Sequence, residues 1–201
     1  MKASNLARRY AMKSNQNAAV RKLAFVGLLT ALATVLSFIK IPILGASITL
    51  VLPVVVIGAA LFGPLVGAWL TLIPNLIAFT EAGIFMVYSP LGCVLTLLLK
   101  GILAGLAAGL IYKLLSGRHP VGAVTWSALA APIINSGIFV LGCYIFIWDQ
   151  LVSLAGQNGV GIGLLLFGLA GLNCIIELIL NIILCPSILR VIHIFKKKNA
   201  A

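Results

Sequence analysis

Acidic side chains are almost missing from this sequence: its 201 residues hold three, Glu81, Asp149 and Glu177. Charged residues of both signs make up 8% and hydrophobic residues 62%, whereas a soluble domain carries about a quarter charged residues. No water-soluble surface can be assembled from so few charges, which excludes a soluble globular domain. Catalytic signatures are lacking as well. There is no HExxH, no GxSxG and no P-loop. His119 and His193 lie far apart, and the three acids fall in three separate regions. No catalytic residue is assigned, and the chain cannot hydrolyse ATP itself. Cys93, Cys143, Cys174 and Cys185 all lie within apolar runs and form no CxxC pair. Buried packing is their expected role, and neither a metal site nor a disulfide is expected.

The charge that is present is mostly positive, with 14 Lys and Arg and a formal net charge of +11. Its placement matters more than its size. Lys2, Arg8, Arg9, Lys13, Arg21 and Lys22 precede the first long apolar run. Lys113 and Arg118 share one connection, and Arg190, Lys196, Lys197 and Lys198 close the chain. Only Lys40 and Lys100 fall elsewhere. This is the positive-inside pattern of a membrane protein touching anionic headgroups, and no nucleic-acid partner is expected. The N-terminus has the outline of a signal peptide. Its apolar run is long enough to span and others follow, so it reads as a retained helix.

A spanning helix needs about 20 apolar residues. Six runs approach that length: Leu23–Ile39, Leu50–Phe62, Leu65–Phe79, Leu91–Leu115, Val121–Ile147 and Ile162–Ile194. The second is short and contains Pro53, which suits a tilted or partly unwound helix. An even count puts both termini on one side with all three basic clusters. The connections 40–49, 80–90 and 148–161, which hold two of the three acids, then face outward. The expected fold is all-α: a polytopic membrane protein of six transmembrane helices in one bundle, both termini cytoplasmic. Residues 1–22 form a basic cytoplasmic arm or interfacial helix, 23–195 the transmembrane domain, and 196–201 a basic tail. No internal repeat is visible, so an inverted-repeat transporter gains no support.

The informative residues are polar ones inside apolar runs. Asn173, Glu177 and Asn181 recur at i, i+4 and i+8, so they share one helical face. Hydrocarbon cannot satisfy such a stripe, which must face protein, water or a ligand. It reads as one wall of a binding site; Asn181, the deepest toward the cytoplasm, is left out of the candidate set. Lys100 lies roughly 12 Å into its helix at 1.5 Å per residue, too deep to snorkel easily. Two readings stay open for it: an ion pair with Glu177, or reception of an anionic ligand group. Asn75 and Asn135 offer further amides, whose simplest role alone is to bond helices together. Phe85, Tyr88 and Trp148 sit in the outer connections as interfacial anchors or as a lid. The candidate substrate-binding set is Asn75, Tyr88, Lys100, Asn135, Asn173 and Glu177. Gly27 with Ala31, and Gly105 with Gly109, are small-xxx-small pairs that let helices approach closely.

These features together resemble one family. KLAFVGLLTALATVLSFI, GAALFGPLVGAWLTLIPNLIAF and LLKGILAGLAAGLIYKL are similar in style to the first, third and fourth helices of the S components of energy-coupling factor vitamin transporters. The resemblance spans nearly the whole chain. It implies a bacterial cell-membrane subunit that binds a vitamin from outside, between its outer loops and helices four to six. It also implies docking on a transmembrane T component, toppling in the membrane, and energy from two partner ATPases, with no cofactor of its own. The family's AxxxA-type contact with the T component maps to Gly27 and Ala31, Gly replacing the first Ala. An asparagine-rich pocket with one lysine suits a small polar acid, of which pantothenate is the best candidate. Folate, riboflavin and pyridoxine are the other vitamins considered, and a stand-alone permease is the competing function.

Overall fold

The computed structural model describes the backbone of residues 2–39, 41–43, 46–48, 50–79 and 83–200, and the side chains of 19–39, 50–79, 83 and 85–195. Lys40, Glu81 and the side chains of the basic arm through residue 18 and of the tail from 196 lie outside the described residues.

Helix α1 (Lys2–Phe38) passes without a break through the expected border between arm and span. Its apolar part, Ala19–Phe38, is one of four helical runs among the described residues that are long and apolar enough to cross a membrane. Strands β1 (Ile41–Ile43) and β2 (Ala46–Ile48) follow as an antiparallel pair with Ile41 opposite Ile48. This hairpin corrects the all-α expectation locally. Pro42 removes a helical N–H, and the β-branched Ile41, Ile43 and Ile48 favour extended backbone.

Helices α2 (Val51–Phe62) and α3 (Pro64–Ala78) have 12 and 15 residues. At 1.5 Å per residue they reach about 18 and 22 Å, short of a hydrocarbon core of about 30 Å. Among the described residues four runs, not six, reach spanning length; the second and third expected spans cover about 60% and 75% of that thickness. The break between them is Gly63, at φ 101°, a conformation L side chains rarely adopt. Pro64 then opens α3 at a position where its missing N–H does no harm. The two helices fold back on each other, Gly58 facing Leu70 and Gly67 facing Ala59.

The expected outer loops hold helices, a second correction. Helix α4 (Gly83–Tyr88) precedes α5 (Pro90–Leu115), whose start is capped by Ser89 accepting from the Gly92 N–H at 3.3 Å. After α6 (Pro120–Phe146) comes α7 (Trp148–Gln157). Its Leu151 and Ala155, one turn apart, are buried, which is what stabilises so short a helix. Helix α8 (Ile162–Leu166), a π-helical turn (Phe167–Gly171) and α9 (Leu172–Ala200) form one continuous rod.

Glycine sets the closest packing. A Cβ on Gly105 would collide with the Gly67 carbonyl, and one on Gly109 with Pro64. Helices α3 and α5 thus approach backbone to backbone, as Gly105 and Gly109 are expected to permit. Apolar side chains collect in three clusters. One joins α2, α5, α6 and α9 around Val56, Ala108, Val124 and Ile188. Another joins α4, α5, α6 and α7 around Phe85, Cys93, Cys143 and Leu151. The third joins α1, α2 and α3 around Ala33, Val55 and Leu70. The polar side chains lie between them.

Candidate functional site

Prolines inside helices shape the site. Pro132 in α6 has no N–H to give the Ala128 carbonyl, four residues back. Asn181 of α9 supplies the missing donor: its Nδ2 lies 3.0 Å from Ala128 O. Two further contacts tie the same helices. Cys174 Sγ donates to Pro132 O at 3.7 Å, and Thr125 Oγ1 lies 3.4 Å from Cys185 Sγ. With Asn181 these form an antiparallel ladder that fixes how α6 and α9 sit against each other. Asn135, one turn beyond Pro132, is carried to a fixed place opposite Asn173 and Glu177.

Helix α3 is fixed in the same way. The Thr71 hydroxyl lies 2.7 Å from Ala68 O in its own helix and 2.9 Å from Gly101 O of α5, sharing one proton between them. One turn on, the Asn75 amide stands directly against Gly101, where any Cβ would occupy its place. Lys100, the neighbour of Gly101, is ten residues into α5, about 15 Å from its start.

These elements enclose a cavity of about 180 Å³. Five of the six candidate residues line it: Asn75, Lys100, Asn135, Asn173 and Glu177. They come from four helices far apart in sequence. Tyr88 does not join them. It lies on α4, 52% exposed and outside the lining. Phe85, on the same short helix, is buried instead and meets Phe139 edge to face at 6.1 Å. The Phe139 ring in turn lies 5.2 Å from the Lys100 ammonium, within cation–π range. Trp148 packs against Tyr144 at 5.0 Å.

Lys100 and Glu177 form no ion pair within 4.0 Å among the described residues. Glu177 is 6% exposed, and its Oε2 is buried without a hydrogen-bond partner, as is Asn173 Oδ1. Lys100, Asn173 and Glu177 thus line one small space, while two of its polar atoms, Glu177 Oε2 and Asn173 Oδ1, are fully buried in its wall.

Sequence reasoning missed Thr71 and Ser37, which also line the cavity. Thr71 was findable, since it precedes Asn75 by one turn, the spacing already used on α9. Ser37 gives no such signal, because its hydroxyl is engaged with Thr34 O at 2.6 Å within α1. Among the described residues no group of three His, Cys, Asp or Glu could hold a metal ion.

Gly27 and Ala31 lie elsewhere, in a shallow groove of about 800 Å³ on the flank of α1. Leu23, Val26, Thr30, Thr34 and Val35 line it with them, and Trp69 of α3 forms its far wall. The groove is almost wholly apolar, so it suits a hydrophobic partner surface or lipid.

No curated protein and no solved structure matches this chain. The model of one protein family does, described as the substrate-specific component of ECF transporters, over residues 21–189. Members of that family are membrane subunits that bind a transported substrate and work with a T component and ATPases; it is not an enzyme family. Over more than four-fifths of its length the chain fits that model, and it belongs to the family of ECF transporter substrate-specific components.

Proposed function

We propose that this subunit captures a small polar vitamin, pantothenate first among the candidates, from the outer side of a bacterial cell membrane. The observation that carries this reading is the convergence of Asn75, Lys100, Asn135, Asn173 and Glu177 on one cavity. At about 180 Å³ the space falls below the roughly 300–1,000 Å³ typical of drug-sized ligands. That favours a compact vitamin over folate or a flavin. Flavin also wants a stacking aromatic, and Tyr88, Phe85 and Trp148 stand outside the lining. Lys100 takes the ligand carboxylate, and the asparagines bond its hydroxyl and amide groups.

In this reading both termini are cytoplasmic, and the basic arm and tail face anionic headgroups. The apolar groove around Gly27 and Ala31 docks on the T component, small residues letting a partner helix come close. The two ATPases of that module supply the energy, and the chain carries no cofactor.

The test is ligand retention by the purified chain alone. Mass spectrometry identifies what co-purifies, and titration calorimetry measures its affinity. Lys100→Ala and Asn135→Ala should each weaken binding at least about tenfold, the loss of one charge-assisted or buried hydrogen bond. Unchanged affinity in both variants removes the site assignment. Uptake by proteoliposomes holding only this chain would instead make it a stand-alone permease.

A further inference from the structure

Three acceptor atoms of α9 are buried without a hydrogen-bond partner among the described residues: Asn173 Oδ1, Glu177 Oε2 and Asn181 Oδ1. Such atoms are rare in folded proteins, and each calls for a donor. Glu177 and Asn181 share a second, narrow cleft between α9 and α2, walled otherwise by Leu52, Pro53 and Leu180. Asn173 does not line it. The cleft has no room for a water molecule. A metal cation fares no better, since hard cations take about six or more oxygens and the other three walls carry no side-chain oxygen. The Asn181 amide cannot be turned over to supply a donor. Its Nδ2 is fixed on Ala128 O at 3.0 Å, and a flipped amide would set oxygen against oxygen. An ionised Glu177 accepts only, whereas a carboxylic acid has one O–H to donate. A proton on Glu177 Oε2 turns that oxygen into a donor and gives Asn181 Oδ1 its partner, so one proton satisfies both atoms. Residues four apart on a helix are near enough for this, with Cβ atoms about 5–6 Å from each other.

We infer that Glu177 is a proton-binding site: in the ligand-free chain it is a neutral carboxylic acid whose O–H donates to Asn181 Oδ1. Glu177 also lines the ligand cavity, so the proton matters there. With it in place, Lys100 is the charged group among the lining residues. Without it, a carboxylate stands in the same space and repels an anionic ligand. The anion and the proton therefore favour each other's binding, and affinity for the anion falls as rising pH removes the proton. This coupling rests on the vitamin reading above; the proton site itself does not. Lys100 of α5 shares the cavity with Glu177 but forms no ion pair with it within 4.0 Å among the described residues. Of the other titratable groups nearby, Cys174 on α9 is engaged with Pro132 O, and Cys93 and Cys143 belong to the apolar cluster around Phe85. Helices α2 and α3 and strand β2 contain none.

The experiment is infrared spectroscopy of the purified, ligand-free full-length chain in a detergent without carbonyl groups. The chain has three acidic side chains, so a carboxylic-acid carbonyl band is assigned by one substitution. At mildly acidic pH, still above the value of about 4.3 at which an ordinary Glu ionises, wild type should show that band, shifted in D2O. Glu177→Gln should lack it; the Gln amide still offers Asn181 Oδ1 a donor, so the fold is kept. Asn181→Leu should move the band to the higher frequency of an acid with no acceptor. A spectrum without the band, a band that survives Glu177→Gln, or one unmoved by Asn181→Leu overturns the inference. Calorimetry with pantothenate tests the coupling. From mildly acidic to alkaline pH the wild-type affinity should fall at least about tenfold, the effect of a second anion a few ångströms away at a protein-like dielectric, and the affinity of Glu177→Gln should not follow it. A wild-type affinity that stays level, or an equal fall in Glu177→Gln, overturns the coupling. If pantothenate binds to neither chain, the vitamin reading fails and the infrared band still decides on the proton.

Discussion

Asn181 and Pro132 should be energetically coupled, although neither touches the cavity. Pro132 leaves the Ala128 carbonyl without its helical donor, and Asn181 Nδ2 fills the gap at 3.0 Å. Asn181 is 1% exposed, so no water can replace it. Asn181→Leu alone leaves Ala128 O bare, a loss of about 1–3 kcal/mol for a buried acceptor. It also removes Asn181 Oδ1, the acceptor inferred for the Glu177 proton, which adds a second loss. The single variant is therefore an ambiguous measure, and the double-mutant cycle is the useful one. Pro132→Ala restores an N–H to Ala128 O and makes the asparagine redundant. In that background Asn181→Leu should lose less, with a coupling between the average of about 0.6 and the maximum of about 1.7 kcal/mol found for interhelical hydrogen bonds in a membrane protein. Reversible unfolding in mixed micelles across the four variants reads this directly. Additivity within about 0.3–0.5 kcal/mol refutes the reasoning, because it would mean that the asparagine is not replacing the bond proline removes.

Two further outcomes follow from the packing. Gly101→Ala places a methyl where the Asn75 amide now stands; it should drive Asn75 from the cavity and weaken binding of the proposed ligand at least about tenfold, with a packing loss of about 1–3 kcal/mol, both measured on the same sample by calorimetry and thermal melting. Unchanged affinity would remove Asn75 from the site. Lys100→Leu should do the opposite to stability. An ammonium in a membrane interior costs about 2.5–3.5 kcal/mol on insertion scales, and here no ion pair offsets it among the described residues. Lys100 is only partly buried, so about 1 kcal/mol of that is recoverable. The ligand-free variant should melt higher than wild type yet retain none of the proposed ligand, and a lower melting point would show that Lys100 is a structural prop.

The long elements were legible because hydropathy reports burial in lipid over many residues at once. Helices α5 and α6 begin and end within a residue of the apolar runs that predict them. Shorter elements were not. Helix α7 begins at Trp148 and includes Asp149, Gln150, Ser153, Gly156 and Gln157, a composition that reads as loop. It stands because Leu151 seats it on the cluster around Cys143, a tertiary contact that no local propensity encodes. The β1–β2 hairpin escaped for a similar reason: two strands of three residues give too few alternations to register as a period. The shortness of α2 and α3 was visible in Pro53 and Gly63, but counting apolar runs treated each as a crossing.

The lining of the candidate cavity was legible residue by residue, because the cost of a polar group in an apolar run is independent of the neighbours. Asn75, Lys100, Asn135, Asn173 and Glu177 could be singled out one by one and meet at one cavity. The sequence set Asn181 apart from the other two members of its stripe by depth alone, and the structure supplies a second reason. An α-helix turns 100° per residue, so each i+4 step drifts by roughly 40°. Glu177 lies roughly 40° around α9 from Asn173, close enough to share a wall, whereas Asn181 lies roughly 80° around. That rotation carries it off the cavity and onto α6, where the carbonyl freed by Pro132 receives it. Polar residues at one spacing thus line the cavity at two positions and tie the helices together at the third. The rotation of α9 and the position of Pro132 on a different helix together decide where that change occurs.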